Sequence, residues 1–420
     1  MKTYSVPAFV HTVALCLPTL IAGVSSASAG VCDRPMTICP GVGGLLAGRE
    51  GYGRRANGGL NGDFVTVTSN ADSGPGTLRD LLKTARSPRW IRFASDMTID
   101  LKGEIVVHSN VTVDGRGRNV TIHDYGLEVL PGTRNVILTH LIIDGRFRTE
   151  QVAFNIVGAR DIWADHLDLS RFIDRLINVK AGATDVTLSW IKFHDHNKVM
   201  LLNNLTDPNL FAFWDRDSAS RVTIHHCWFV NTVQRNPRAV LGVYDVYNNL
   251  LEDWDFYGMS FGLEARAWVA GNIFVNTPNR GCVEPPEFQT IEHVDKNYCH
   301  VIPKASNLTA LPNGDADHAA YEQTKAKYGY THDYRAFLRV SDNLYLGAAR
   351  PALFDFMPDR VPPAPYCISY RRPSESLADR IRRDAGDTSA EGAPPTVCPA
   401  KRAGEDFPVQ SSSGSKPVSW

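Results

Sequence analysis

A chain of 420 residues that is 43% hydrophobic, with a formal net charge of −1, has ample material for a large core in one long domain or two. The near-zero charge excludes a global field that would draw in nucleic acid or a membrane surface. A polyanionic partner would have to be held by a local cationic patch.

The N-terminus reads as a secretory signal. Lys2 supplies a sparse charge, Val6 to Ala22 is apolar, and Ala27-Ser28-Ala29 fits a small-residue cleavage site. The apolar run holds Pro7, His11 and Pro18 and is short for a membrane span. The expectation is export, a mature start near Gly30 and an extracellular, monomeric protein. Export permits disulfides. Beyond the signal stand Cys32, Cys39, Cys227, Cys282, Cys299, Cys367 and Cys398, an odd number, so at least one is unpaired. Cys32–Cys39, Cys282–Cys299 and Cys367–Cys398 are the local pairings, and the spacing leaves the connectivity open.

Residues 40–62 are rich in Gly and Arg and read as an irregular lead-in. A strand is expected at Asp63–Thr68 and a turn at Asn70–Pro75. Thr77 is placed to N-cap a helix over Leu78–Ala85, and a short strand follows at Trp90–Phe93.

From there the sequence repeats. NVILTHLII from Asn135, DIWADHLDL from Asp161, DVTLSWIKF from Asp185 and RVTIHHCWF from Arg221 share one pattern. One column reads Leu141, Leu167, Ile191 and Cys227, continued by Asn249, Asn272 and Asn297. The next apolar column reads Ile143, Leu169, Phe193, Phe229, Leu251, Phe274 and Cys299. The spacing is about 22–26 residues, widened once by Asn203–Ser220, a period that means stacked single-coil repeats. The segments are rich in β-branched and aromatic residues, and no long amphipathic helix separates them. This points to an all-β, right-handed parallel β-helix (a single-stranded solenoid) in preference to a sandwich or propeller. The asparagines would stack as a hydrogen-bonded ladder, and Cys227, in the same column, would be buried and inert.

After Asn297 the register fades. Ala319–Tyr328 reads as a short helix and VSDNLYLG as one last coil. Residues 351–366 are Pro-rich, Ser374–Ala385 is an amphipathic helix, and residues 400–420 have a disordered composition. The organisation is thus a signal over 1–29, a β-helix over 30–345 and a C-terminal extension over 346–420.

Three cations stand just beyond strand ends. Arg235 and Arg238 belong to QRNPR, where Pro237 restricts the backbone. Lys198 lies one coil earlier, at a similar distance past its own strand. Stacked coils are about 4.8 Å apart, so these cations can project from one face. An acidic group, Asp174 with Asn178, and Glu150, Asp165, Asp168 and Asp195 from neighbouring coils, offers hard oxygen ligands that would suit calcium, although Asp and Asn are also ordinary turn residues. His140, His166, His194, His196, His225 and His226 invite a zinc reading, but no HExxH is present and their matched strand positions are explained by packing. In regular strands His194 and His196 would share a face.

At these residues the sequence resembles the pectate lyase family. The matching text includes GYGRRANGG, SGPGTLRDLL, WIRFASDMTIDL, VTVDGRG, DIWADH, DRLINVKAG, VTLSWIKFHDHNKVMLL, VTIHHCWF, QRNPR and VYDVYNN, over roughly Gly51 to Asn276. The resemblance implies a parallel β-helix, calcium dependence, and cleavage of α-1,4-linked galacturonan (pectate) by β-elimination. Arg235 matches the family's catalytic arginine, Lys198 a lysine that binds substrate carboxylate, and Asp174 a calcium carboxylate. Arg238 joins the substrate-binding set, and Asn178 and Glu150 the metal set. Three positions depart from the pattern. Asn178 stands where many members have a second calcium aspartate, Val152 where another acidic ligand is usual, and Val240 where many have a second substrate arginine. With fewer fixed carboxylates, calcium is expected to bind weakly, completed by the substrate's own carboxylates. The alternatives are a lyase for methyl-esterified pectin that needs no calcium, and a non-catalytic β-helix that binds polysaccharide.

Overall fold

The computed structural model describes residues 42–83, 88–149, 151–203, 213–254, 257–276, 335–347 and 355–386, together with 326 and 349. Three parallel sheets of ten, seven and nine strands run along the molecule. Each coil contributes one strand to each sheet in turn, so sequence neighbours belong to different sheets and hydrogen-bonded neighbours lie one coil apart. Residues Ile162 to Asp165, for example, pair in parallel with Val136–Thr139 on one side and Val186–Ser189 on the other. This is a parallel β-helix, the fold expected from the repeat.

The second apolar column is in register throughout. Ile143, Leu169, Phe193, Phe229, Leu251 and Phe274 face their counterparts on successive strands. Phe193 and Phe229 stack with ring centroids 4.8 Å apart. Each such ring, fully buried, stabilises by roughly 1.5–3 kcal/mol. The column ends differently from the expectation. Phe274 is followed by Tyr345, not Cys299, and Arg266–Ala270 pairs directly with Phe337–Ser341. The VSDNLYLG coil therefore stacks straight onto the coil ending at Asn276, and the VDKNYC segment lies outside the described residues. Short-range pattern matching could not show that residues far apart in sequence supply consecutive coils, because the solenoid tolerates insertion at a turn.

The asparagine column forms a ladder with that same correction. Asn249 Oδ1 accepts from the Cys227 amide at 2.9 Å, while its Nδ2 donates to the Ile224 carbonyl at 3.0 Å and to Asn272 Oδ1 at 2.9 Å. Asn272 repeats the pattern toward Val246 and Asn343. Asn343 holds the place expected for Asn297. Cys227 is free and fully buried at the head of the ladder, and burial pushes its thiol well above the ordinary range. The local cysteine pairings each involve a residue outside the described ones, as do the signal, the 319–328 helix and residues 400–420.

One residue per coil turns the chain from the ten-stranded into the nine-stranded sheet. His140, His166, Trp190, His226, Asn248 and Asp342 all take left-handed backbone, with φ between 49° and 56°. Asn, Asp and His are enriched in that region among residues with a Cβ. This accounts for the histidines: His140 stacks on His166 at 4.6 Å and Trp190 on His226 at 4.5 Å. His140, Asp165 and His166 do lie close together, but they are engaged internally. Asp165 accepts from His166 at 2.7 Å and Ser189 at 2.6 Å, and His140 Nδ1 lies 2.5 Å from Thr139 Oγ1.

The ends cover the sheets. Val42–Ala47 and Tyr52–Arg55 form short helices, more ordered than the expected lead-in, and lie on the ten-stranded sheet. Gly53 and Tyr52 donate amides to Thr187 and Thr223. Thr77 caps the helix Leu78–Lys83 by accepting from Asp80. The helix Glu375–Asp384, capped by Ser374, packs Leu377 and Ile381 against Leu250 and Ile273. Among the described residues no helix is long and apolar enough to cross a membrane.

Asn249→Ala removes one acceptor and one donor from a fully buried ladder. It should lower the stability of the protein by about 1–3 kcal/mol, read as a lower guanidinium midpoint at unchanged slope. An unchanged midpoint would remove the ladder from the list of stabilising features.

Candidate active site

Strand Lys192–Lys198 of the nine-stranded sheet is followed after one residue by Met200–Leu202 of the seven-stranded sheet. The next coil repeats this with Trp228–Gln234 and Arg238–Val240. The corner between those two sheets is where the candidate residues meet. Lys198 pairs in register with Gln234. The Val199 amide donates to the Gln234 carbonyl at 3.1 Å, and the Met200 amide to the Arg235 carbonyl at 2.9 Å. Lys198 and Arg235 are thus held on adjacent coils by the backbone itself.

Arg235 takes left-handed backbone, φ 65°, a conformation that persists in a residue with a Cβ only when its surroundings impose it. They do so here on both sides. Its carbonyl is bonded to Met200, and the next amide, Asn236, donates to the Gly258 carbonyl at 2.7 Å. The Asn236–Pro237 bond is cis. Asn236 Nδ2 donates to Thr232 and Gln234 Nε2 to Asn197, both at 3.0 Å. Arg238 opens the next strand, is only 7% exposed, and pairs with Leu201. Asn178 is the residue facing Leu201 from the other side, so Asn178, Leu201 and Arg238 form one row across the sheet.

One coil below Lys198 lies a fourth cation, which the sequence reading passed over. Arg175 Nη1 is 2.5 Å from Asp174 Oδ2. Leu176 and Ile177 both donate their amides to the Val199 carbonyl, which sets Arg175 level with Lys198, and Val152 faces it from the coil before. The group is electrostatically coupled. Burial, then the charge of Arg235, lowers the Lys198 ammonium below its ordinary value, against the pull of Asp174. Burial likewise lowers Arg175, with Asp174 opposing and Arg235 and Arg238 adding to the shift. The only available signal was the Asp174–Arg175 adjacency in FIDRLIN.

Of the three metal candidates, Asp174 and Asn178 are described. Glu150 lies outside the described residues. Among the described residues, no cluster of three His, Cys, Asp or Glu ligand atoms includes Asp174. Asp174 is committed to an ion pair, and Asn178, 3% exposed, offers a neutral amide oxygen. Calcium takes six to eight oxygens, with affinity set by the carboxylate count. The described donors do not fit a resident calcium ion. Asp165 is bound to His166 and Ser189, and Asp168 and Asp195 are engaged by His194, at 2.7 and 2.8 Å.

His194 and His196 do not share surroundings, because the left-handed Asp195 (φ 49°) stands between them. His196 is buried, and burial drops its pKa to about 3. Burial opposes charge on His194 as well, but the bonds to Asp168 and Asp195 outweigh it and push it up to about 9.

A family model described as pectate lyase matches residues 94–333. Pectate lyase 4 of Ambrosia artemisiifolia is 34% identical over 250 residues, covering 54% of this chain and 61% of that one. A pectate lyase of Nicotiana tabacum is 32% identical over 249 residues, with the same coverage. The chain therefore spans about three fifths of the length of the curated relatives it matches. Among solved structures, the cedar pollen allergen jun a 1 superposes with a TM-score of 0.58 at 24% identity, covering 80% of this chain and 92% of that one. A pectate lyase from Bacillus sp. N165, solved in complex with trigalacturonate, superposes with a TM-score of 0.58 at 16% identity, covering 81% and 99%. These two likenesses concern the fold.

His194 clamps the strand that ends in Lys198. Its folded pKa lies above the ordinary histidine value of about 6.5. The stabilisation is therefore complete below that value and is lost as pH rises toward about 9. Wild type should lose about 1–3 kcal/mol between pH 6.5 and 9.5 relative to His194→Gln, measured by urea unfolding at each pH. Parallel pH profiles for the two proteins would refute this.

Proposed function

We propose that this chain, which belongs to the pectate lyase family, cleaves α-1,4-linked galacturonan by β-elimination outside the cell, leaving 4,5-unsaturated oligogalacturonides. The observation that carries the reading is the clamp of Arg235 beside Lys198 at one corner of the β-helix.

The reaction needs a proton taken from C5, next to a carboxylate. The resulting enolate adds negative charge to an existing anion, so fixed positive charge at that carboxylate lowers the barrier. In this reading Lys198 and Arg238 hold substrate carboxylates. Arg235 stands at C5. Because a guanidinium ordinarily keeps its proton, the acceptor is either the guanidine form of Arg235 or a hydroxide ion that it holds. The C5 electron pair then forms the C4–C5 double bond, the C4–O4 bond breaks, and O4 takes a proton from water. No step is routed through a metal ion. The half-buried setting of Lys198 and Arg175 strengthens their field relative to solvent-exposed charges.

The polyanionic substrate class agrees with the charge of the corner. Four cations, Arg175, Lys198, Arg235 and Arg238, surround one described carboxylate, Asp174, in a chain with net charge −1. Such a cluster is self-repelling until an anion enters it.

The test is the appearance of unsaturated product absorbance on polygalacturonate and, separately, on methyl-esterified pectin. Arg235→Lys should lose about 10²–10³-fold in kcat, and Lys198→Ala should both raise KM and lower kcat. A full rate in Arg235→Lys would remove Arg235 from the reaction. Product from esterified pectin alone would replace the pectate reading with the pectin one. No product from any galacturonan would leave a polysaccharide-binding β-helix.

A further inference from the structure

We propose that Arg175 supplies, from the chain itself, the positive charge beside Asp174 that a bound divalent cation would otherwise bring, and that it contacts the substrate carboxylate together with Lys198. The inference rests on the lyase reading above and specifies it, because it makes the reaction independent of added calcium.

Four observations converge. First, the Arg175 guanidinium lies against the Asp174 carboxylate at 2.5 Å, so the one described acidic group at this corner is already neutralised. Second, the pair is partly shielded, with side chains 22% and 33% exposed. It is neither a freely solvated surface pair nor sealed from a ligand. Third, backbone bonds from Leu176 and Ile177 to Val199 hold Arg175 level with Lys198, one coil from it and two from Arg235. That spacing, about 4.8 Å per coil, lets one carboxylate meet more than one of these cations. Fourth, Arg175 Nε is buried and has no hydrogen-bond partner in the structure, and Arg235 Nε is in the same position. A buried donor left unpaired is costly, and a shift of the guanidinium toward an arriving carboxylate would relieve it.

A divalent ion placed here would face the opposite balance. It would have to displace Arg175 from Asp174 and then sit among Lys198, Arg235 and Arg238, cations close enough that the charge of Arg235 adds to the lowering of both Arg175 and Lys198. A neutral amide at Asn178 and an apolar side chain at Val152 offer it no compensating charge. Arg175 avoids that repulsion by being tied to Asp174 and by presenting a planar fork that suits a carboxylate. In the elimination it holds the C6 carboxylate while the C5 proton leaves, which is the task that needs fixed charge. It makes no covalent bond and exchanges no proton.

The experiment uses the full chain, wild type beside Arg175→Gly and Arg175→Lys, with product absorbance on polygalacturonate in EDTA and across a calcium titration. Calorimetry of calcium chloride into each free protein runs in parallel. Wild type should keep its rate in EDTA and give no calcium heat. Arg175→Gly should lose about 100-fold in EDTA and regain part of the loss in calcium at about millimolar levels, now with a binding heat. Arg175→Lys, which keeps the charge, should stay independent of calcium. A wild-type rate abolished by EDTA and restored by calcium would overturn the proposal, as would an undiminished rate of Arg175→Gly in EDTA. If no protein makes product on any galacturonan, the lyase reading itself is lost. Binding of an oligogalacturonate in EDTA then decides the role of Arg175 separately. A dissociation constant about tenfold or more weaker in Arg175→Gly supports it, and an unchanged one overturns it.

Discussion

Everything in this molecule depends on parallel, in-register stacking of one coil on the next. A strand that pairs with the equivalent strand of the neighbouring coil satisfies its backbone groups only if equivalent residues lie level. Each coil must therefore turn at the same places. The left-handed residues His140, His166, Trp190, His226, Asn248 and Asp342 are the local expression of that demand, and the asparagine ladder from Cys227 to Asn343 satisfies the polar groups at the same turn. Residues far apart in the chain then become neighbours by a fixed rule of about one strand spacing.

The cationic corner follows from that rule. Arg175, Lys198 and Arg235 stand on three successive coils near the passage from the nine-stranded to the seven-stranded sheet. No motif joins them, and their separations in sequence differ because Asn203–Ser220 widens one repeat. Holding like charges this close costs energy that the ladders on both sides must offset. The same geometry also engages three of the acidic residues named from the sequence. Asp165, Asp168 and Asp195 are used up in bonds to His166, Ser189 and His194, which hold the turns and strands in place.

Much was legible from the sequence. The repeating columns defined the fold, because apolar residues at a fixed period in short strands have few other ways to be buried together. The pairing of Ile143, Leu169, Phe193, Phe229, Leu251 and Phe274 was readable one residue at a time. The inertness of Cys227 followed from its column. Lys198 and Arg235 were readable as neighbours from their matched distance past strand ends. Asn343 and Tyr345 take the column places expected for Asn297 and Cys299, since VDKNYC, outside the described residues, carries the same local pattern.

The sequence by itself determined the solenoid, its register over the central coils, and the two cations that register makes adjacent. These depend on periodicity, which is a property of the chain. Only the tertiary structure decided what each charge is paired with. Arg175 carries no signal of its own in the sequence, and Asp174 reads as a candidate metal ligand; their ion pair joins them beside Lys198 and Arg235. Charge pairing depends on distances of a few ångströms between side chains, and a one-dimensional pattern carries no such distances.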